Sequence, residues 1–172
     1  MHQRVFLELI DPFKPGLFGF AYRMLRDKED AKDAMQDLMM KLWNNRQNLE
    51  SNNNIRTYCF TTLYHECVDR LRKRNRFRAF PDEEMFEVAD QSRVDQVCEN
   101  DDLIRQIRSA MDSLSYKQKV IMELRDFQDF DYEEIARMME MTVNAVRVTV
   151  TRSRATISEK MKEEIGYGTG TF

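Results

Sequence analysis

Apolar residues recur through most of this chain at three- and four-residue intervals, the spacing of one face of a helix. Pro12, Pro15 and Gly16 punctuate the start, and Leu17, Phe20, Ala21 and Met24 then predict a helix. Asp30 opens a second, with Ala31, Ala34, Leu38 and Leu42 on one face. The run Asn52-Asn53-Asn54 predicts a loop. A third, long helix follows, in which Phe60, Leu63, Tyr64, Cys67, Val68 and Leu71 form one apolar stripe. From Phe77 to Asp102 no period is sustained and the residues are acidic, with Pro81 among them. This stretch predicts a mobile linker that could reach roughly 85 Å when fully extended. Helical spacing returns in Leu103, Ile107, Ala110, Met111 and Leu114. Ser115 predicts the N-cap of a short helix holding Val120, Ile121 and Leu124. Asp131 and Glu134 have capping-box spacing ahead of Ile135, Ala136 and Met139. Thr142 predicts the cap of a last helix, with Val146, Val150 and Ile157 facing inward, and the Gly/Thr-rich stretch 166–172 predicts a frayed tail. The expected class is all-α: two small helical domains, residues 1–76 and 103–165, joined by an acidic flexible linker over 77–102.

Composition supports helix and narrows the function. Among 172 residues only five are Gly and three Pro, while 42% are hydrophobic and 33% charged. No run approaches the roughly 18 apolar residues of a membrane span. The first ten residues carry Arg4 and Glu8 and lack a small-residue cleavage site, so a cytoplasmic location is expected. Cys59, Cys67 and Cys98 are odd in number and form no C-x-x-C pair, which argues against a disulfide framework or a structural zinc. His65 and Cys67 cannot complete a tetrahedral site, and Cys67 lies on the apolar stripe. The net charge of −3 hides an uneven distribution. Residues 1–76 hold 14 Lys/Arg against 10 Asp/Glu, residues 77–102 hold 2 against 9, and residues 103–172 hold 11 of each. The acidic middle conceals a basic first segment, which suits nucleic acid. With two His, no Gly-rich phosphate loop and no nucleophile–base pairing, neither a catalytic residue, a cofactor, a metal nor a small-molecule substrate is expected.

Three surfaces carry candidate chemistry. The two short helices separated by about three residues after Met139 make a helix-turn-helix candidate, whose second helix would enter a DNA major groove. Outside its core stripe that helix presents Asn144, Arg147, Val148, Thr151, Arg152 and Arg154. Arg can bond guanine bidentately, Asn can read adenine, and Thr and Val can touch a thymine methyl. A plain solvated face would look the same at this level. Glu140 stands where the turn favours Gly, so an adjusted turn is expected. The third helix carries Tyr58, Thr61, Thr62, His65, Asp69, Arg72 and Arg76 opposite its core stripe, and Arg70, Arg72, Lys73, Arg74 and Arg76 crowd its end. Aromatics followed by clustered cations suit a DNA backbone beside unstacked bases, beyond what a helix dipole requires. On the second helix Asp30, Asp33 and Asp37 share a stripe with Gln36 beside it. Such a stripe runs along a helix rather than closing a metal cage, and reads as a docking face or solvent surface.

Together these segments resemble the extracytoplasmic-function (ECF) group of bacterial RNA polymerase sigma factors. The first block, A-Y-R-M-L-R-D, D-A-K-D-A-M-Q-D-L-M-M-K-L-W and Y-C-F-T-T-L-Y-H-E-C-V-D-R-L-R-K-R, resembles sigma region 2. The second, A-M-D-S-L-S-Y-K-Q-K-V-I-M-E-L and D-Y-E-E-I-A-R-M-M-E-M-T-V-N-A-V-R-V-T-V-T-R-S-R, resembles region 4. The resemblance implies a promoter-binding subunit with core RNA polymerase, promoter DNA and a membrane-anchored anti-sigma factor as partners. Asp30, Asp33, Gln36 and Asp37 would dock on the β′ clamp helices. Tyr58, Tyr64, His65, Arg70, Arg72, Lys73, Arg74 and Arg76 would melt and hold the −10 element. Asn144, Arg147, Val148, Thr151 and Arg152 would read the −35 element, with the β flap nearby. His65 stands where many relatives have Asn, Tyr58 where many have Trp, and Ala145 where many have Thr. A helix-turn-helix regulator acting without core polymerase is the competing reading, but it leaves residues 1–76 without a task. An enzyme and a purely structural interaction protein are further alternatives.

Overall fold

A computed structural model describes residues 2–50, 54–76 and 102–168, all in helices, turns or short connections, with no strand among them. The linker expected over 77–102 falls, up to residue 101, outside the described residues. The chain divides into two compact units, Met1–Val88 and Ala89–Phe172.

In the first unit, α1 (Gln3–Ile10) passes through a 3₁₀ turn (Asp11–Phe13) into α2 (Lys14–Leu25), followed by α3 (Lys28–Asn44), the short α4 (Arg46–Glu50) and α5 (Ile55–Arg76). Pro12 and Pro15 occupy the first turns of their elements, where no N–H is needed. Helix α3 starts earlier than its pattern suggested. Asp27, not Asp30, is the N-cap: its backbone is extended, and its Oδ1 accepts from the N–H groups of Glu29 and Asp30, each at 2.9 Å. Asp30 lies inside the first turn, where a carboxylate favours the positive helix end. The predicted stripes of α2, α3 and α5 meet as the core: Leu17, Phe20, Ala21 and Met24 against Ala31, Ala34, Leu38 and Leu42, and against Phe60, Leu63, Cys67, Val68 and Leu71. Phe20 and Phe60 meet edge to face at 5.6 Å, and Phe6 meets Trp43 likewise at 5.2 Å. Tyr64, expected on the stripe, is only half-buried, while Cys59 is fully enclosed.

The second unit comprises α6 (Asp102–Met111), α7 (Tyr116–Met122), a π-helical turn (Glu123–Phe127), α8 (Tyr132–Met138) and α9 (Val143–Gly168). The polar punctuation acts as its spacing implied. Ser115 and Gln118 form a reciprocal capping box, as do Asp131 and Glu134 at 2.7 and 3.1 Å. Thr142 Oγ1 accepts from the Ala145 N–H at 3.1 Å. Each such cap contributes about 1 kcal/mol. The core gathers Ala110, Met111, Leu114, Val120, Ile121, Leu124, Phe130, Ile135, Ala136, Val146, Val150 and Ile157. Three details differ from the pattern. Leu103 is 52% exposed because it lies at the open start of α6. Met138 rather than Met139 is buried, since Met139 is the C-cap. Helix α9 continues to Gly168, three residues into the stretch expected to fray. Glu123 is buried, and Arg108 compensates it at 2.8 Å while lying 3.9 Å over the Phe127 ring.

Candidate nucleic-acid interface

The sharp turn between α8 and α9 aims the last helix. Glu140 there has φ 54°, so the turn is not adjusted: it keeps the left-handed geometry that Gly would take. The backbone closes as a Schellman motif, with the Met141 N–H bonded to the Ala136 carbonyl at 2.9 Å and the Glu140 N–H to the Arg137 carbonyl at 3.5 Å. These two bonds hold Glu140 in a region that disfavours side chains.

Asn144, Arg147, Val148, Thr151 and Arg152 are all exposed on α9, while Val146, Val150, Ser153 and Ile157 are buried. Among the described residues, Val148, 39% exposed, is one of the few large apolar side chains left open. Thr151 Oγ1 donates to its own helix at the Arg147 carbonyl, 3.0 Å away. Arg147 lies 5.4 Å over the Tyr132 ring and 3.8 Å from Glu133. Arg154 is exposed as expected, but its guanidinium is held by both carboxylate oxygens of Asp126, and that hydrogen bonding raises its pKa further.

On α5, His65 is exposed and its ring centroid lies 5.3 Å from that of half-buried Tyr64, with Tyr58 also half-buried. Lys73 is exposed, and so is Arg72, which lies 3.8 Å from Asp69. Arg70 and Arg74 do not join that face freely. Arg70 pairs with Asp37 of α3 and lies 3.2 Å from Glu66, which in turn pairs with Lys41 of α3. Arg74 lies 3.7 Å from Asp30 and donates to the Leu25 carbonyl at 3.4 Å. The side chain of Arg76 lies outside the described residues.

The same pairs divide the acidic stripe of α3. Asp33 and Gln36 are exposed, whereas Asp30 and Asp37 are half-buried against α5. The two faces that one-dimensional periodicity kept separate are thus joined by a charge ladder between neighbouring helices. Periodicity could not have found it, because complementary charges 33 and 44 positions apart carry no local signal. Tyr132 and Glu133, beside Arg147, were missed for the same reason: they sit on α8, away from the recognition helix. Among the described residues, no group of three or more His, Cys, Asp or Glu could hold a metal ion, and no helix is long and apolar enough to cross a membrane.

Two helical units, one ending in a helix-turn-helix with a polar and basic outward face, define a DNA-binding protein of the transcription machinery. Residues 9–77 match the sigma-70 region 2 family and residues 104–157 match sigma-70 region 4. The chain belongs to the sigma-70 family, as an ECF sigma factor that gives RNA polymerase its promoter specificity. It is 23% identical to the ECF RNA polymerase sigma factor SigX of Bacillus subtilis over 93% of this chain and 85% of that one. It is 26% identical to SigV of the same organism, over 84% and 83% respectively. Its fold matches the sigma factor RpoE of Bartonella quintana, solved with the anti-sigma factor NepR, with a TM-score of 0.71 and 24% identity over 92% of this chain and 98% of that one. It also matches CnrH, solved with the cytosolic domain of CnrY, with a TM-score of 0.65 and 18% identity over 94% and 90%.

Proposed function

We propose that this sigma factor divides promoter reading between its units, with α9 taking the −35 element as duplex and α5 taking the −10 element as opened strand. The observation that carries the first half is the uninterrupted exposed row Asn144, Arg147, Val148, Thr151 and Arg152 on a helix whose other side is core. Those groups have the donors and methyl contacts that a major groove discriminates. The second half rests on exposed His65 beside Tyr64, with half-buried Tyr58 about two turns earlier and Arg72 and Lys73 following on the same helix. Ring faces accept unstacked bases of any sequence, and the cations track the backbone. Arg70 and Arg74 serve first as struts to α3 and reach DNA only as those pairs yield.

Asp33 and Gln36 form the open part of the α3 surface that would dock on the β′ clamp helices, with region 4 touching the β flap. The acidic stretch 77–102 would tether the two units and occupy a basic channel of the polymerase. A membrane-anchored anti-sigma factor is the proposed regulator; RpoE of Bartonella quintana, similar in fold, was solved with an anti-sigma factor. The protein would act in the cytoplasm, where the polymerase works, by binding alone and without catalysis, cofactor or small-molecule substrate of its own.

A promoter library transcribed by the reconstituted holoenzyme tests the division. Arg147→Ala should relax preference at one or two −35 positions, a loss of about 1–3 kcal/mol of discrimination. His65→Ala should slow opening of duplex promoters and have little effect on a template whose −10 region is already mismatched. If Arg147→Ala alters only −10 preference, or His65→Ala only −35 preference, the assignment of units to elements is wrong.

A further inference from the structure

Arg147, though exposed, has neighbours on the preceding helix. Tyr132 is the first residue of α8, the helix opened by the capping box between Asp131 and Glu134. Its ring lies 4.8 Å from the Arg125 guanidinium and 5.4 Å from that of Arg147. Arg125 is anchored independently, donating to the Phe130 carbonyl at 2.9 Å and lying 3.9 Å from Asp129. Arg147 is therefore the partner whose position the ring can set. A second restraint comes from Glu133, whose carboxylate lies 3.8 Å from the Arg147 Nη2, with both side chains 58% exposed.

An unrestrained arginine on a groove-facing helix reaches a phosphate as readily as a base edge, and phosphate contacts carry no sequence information. A ring face and a flanking carboxylate narrow that choice. The ring attracts the flat guanidinium through its quadrupole, and the carboxylate restrains one end of the fork while its charge repels a nearby phosphate. We propose that Tyr132 and Glu133 are positioning residues for −35 specificity: they hold Arg147 ready for a base edge and bias it away from the phosphate backbone. The proposal rests on the reading of Arg147 as a −35 contact and adds to it two residues on the preceding helix.

The test uses holoenzyme carrying the full chain and a library randomised across the −35 element, with thermal melting of each variant and binding to unrelated duplex as controls. Tyr132→Leu should lower the preference at the positions governed by Arg147 by about 2- to 5-fold, the size of an exposed cation–π contact. Tyr132→Phe keeps the ring and should restore the preference. Glu133→Gln, at an exposed site that leaves the fold alone, should lower the same preference while raising affinity for unrelated duplex and steepening its salt dependence. Preference at the −10 element should not move in any of the three. If Tyr132→Phe loses as much as Tyr132→Leu, the hydroxyl acts directly and the positioning role is overturned. If Arg147→Ala relaxes the −35 element but Tyr132→Leu and Glu133→Gln do not, the inference fails alone. If Arg147→Ala itself leaves the −35 preference intact, the −35 reading and this inference fall together.

Discussion

Ser153 holds a place on the inward stripe of α9 between Val150 and Ile157, fully buried, and its hydroxyl has no hydrogen-bond partner. A hydroxyl enclosed this way has lost water and gained nothing in return. Ser153→Ala should therefore raise the stability of this unit by about 1 kcal/mol, seen as a higher midpoint in urea unfolding. A lower midpoint would mean that the hydroxyl is satisfied in solution. Cys59 and Cys67 make the opposite case, of buried groups that suit their surroundings. Burial pushes each thiol up from 9.0 to about 12, with Glu66 adding to the effect at Cys67. The sign follows from which state ionises first. The unfolded thiols lose their protons near pH 9 while the native ones stay neutral, so the stability they contribute is whole below that pH and is lost as pH climbs toward 12. In a Cys98→Ser background, both remaining thiols should resist iodoacetamide at pH 8 in the native protein and react at once in denaturant, read by mass spectrometry. The burial of Cys67 was legible from its place on the α5 stripe. Ser153 was not, because the stripe was drawn from apolar residues and a serine at helical register belongs to it only by position.

At the scale of the element, the chain's punctuation proved easier to read than its exceptions. Ser115, Asp131 and Thr142 all cap the helices they precede, since a short polar side chain one residue ahead of an apolar period has few other uses. The start of α3 was misread by three residues because Asp27 and Asp30 are both plausible caps, and only the extended backbone of Asp27 decides between them. Glu140 is the instructive exception. Its turn was expected to shift to spare a side chain from positive φ, yet the Schellman bonds keep φ at 54°. The two backbone hydrogen bonds and the placement of α9 outweigh a left-handed penalty of roughly 1–2 kcal/mol. Glu140→Gly should then stabilise the second unit by about 1 kcal/mol, less the added freedom of glycine in the unfolded chain, while leaving −35 preference unchanged. Thermal unfolding alongside the promoter library measures both. A fall in stability would mean that the Glu140 side chain contributes more than its backbone costs.

For the whole molecule, the question is how a protein of net charge −3 handles an anionic partner. The basic excess of residues 1–76 was legible by counting, but the count overstates what DNA can use. Two of the cations at the end of α5 lean on α3: Arg70 on Asp37 and Glu66, and Arg74 on Asp30. The acidic stripe is reduced in the same stroke, leaving Asp33 and Gln36 as its open members. Charge reversal can separate the docking role from the scaffold role, provided that the two acids are changed one at a time. Asp33→Arg alters an exposed position and should keep the melting temperature while weakening binding to core polymerase by about 10-fold, because a reversed charge at a docked face meets its partner with the wrong sign. Asp37→Arg places a cation against Arg70, whose side chain is only 22% exposed. It should cost about 1–2 kcal/mol of stability before any effect on docking appears, a modest figure because Asp37 is itself 43% exposed and solvent screens the pair. Titration of core polymerase with each variant, next to its melting curve, gives both numbers. Unchanged affinity for Asp33→Arg in a folded protein would remove α3 from the polymerase interface, and an undiminished melting temperature for Asp37→Arg would mean that the ladder between α3 and α5 carries no weight.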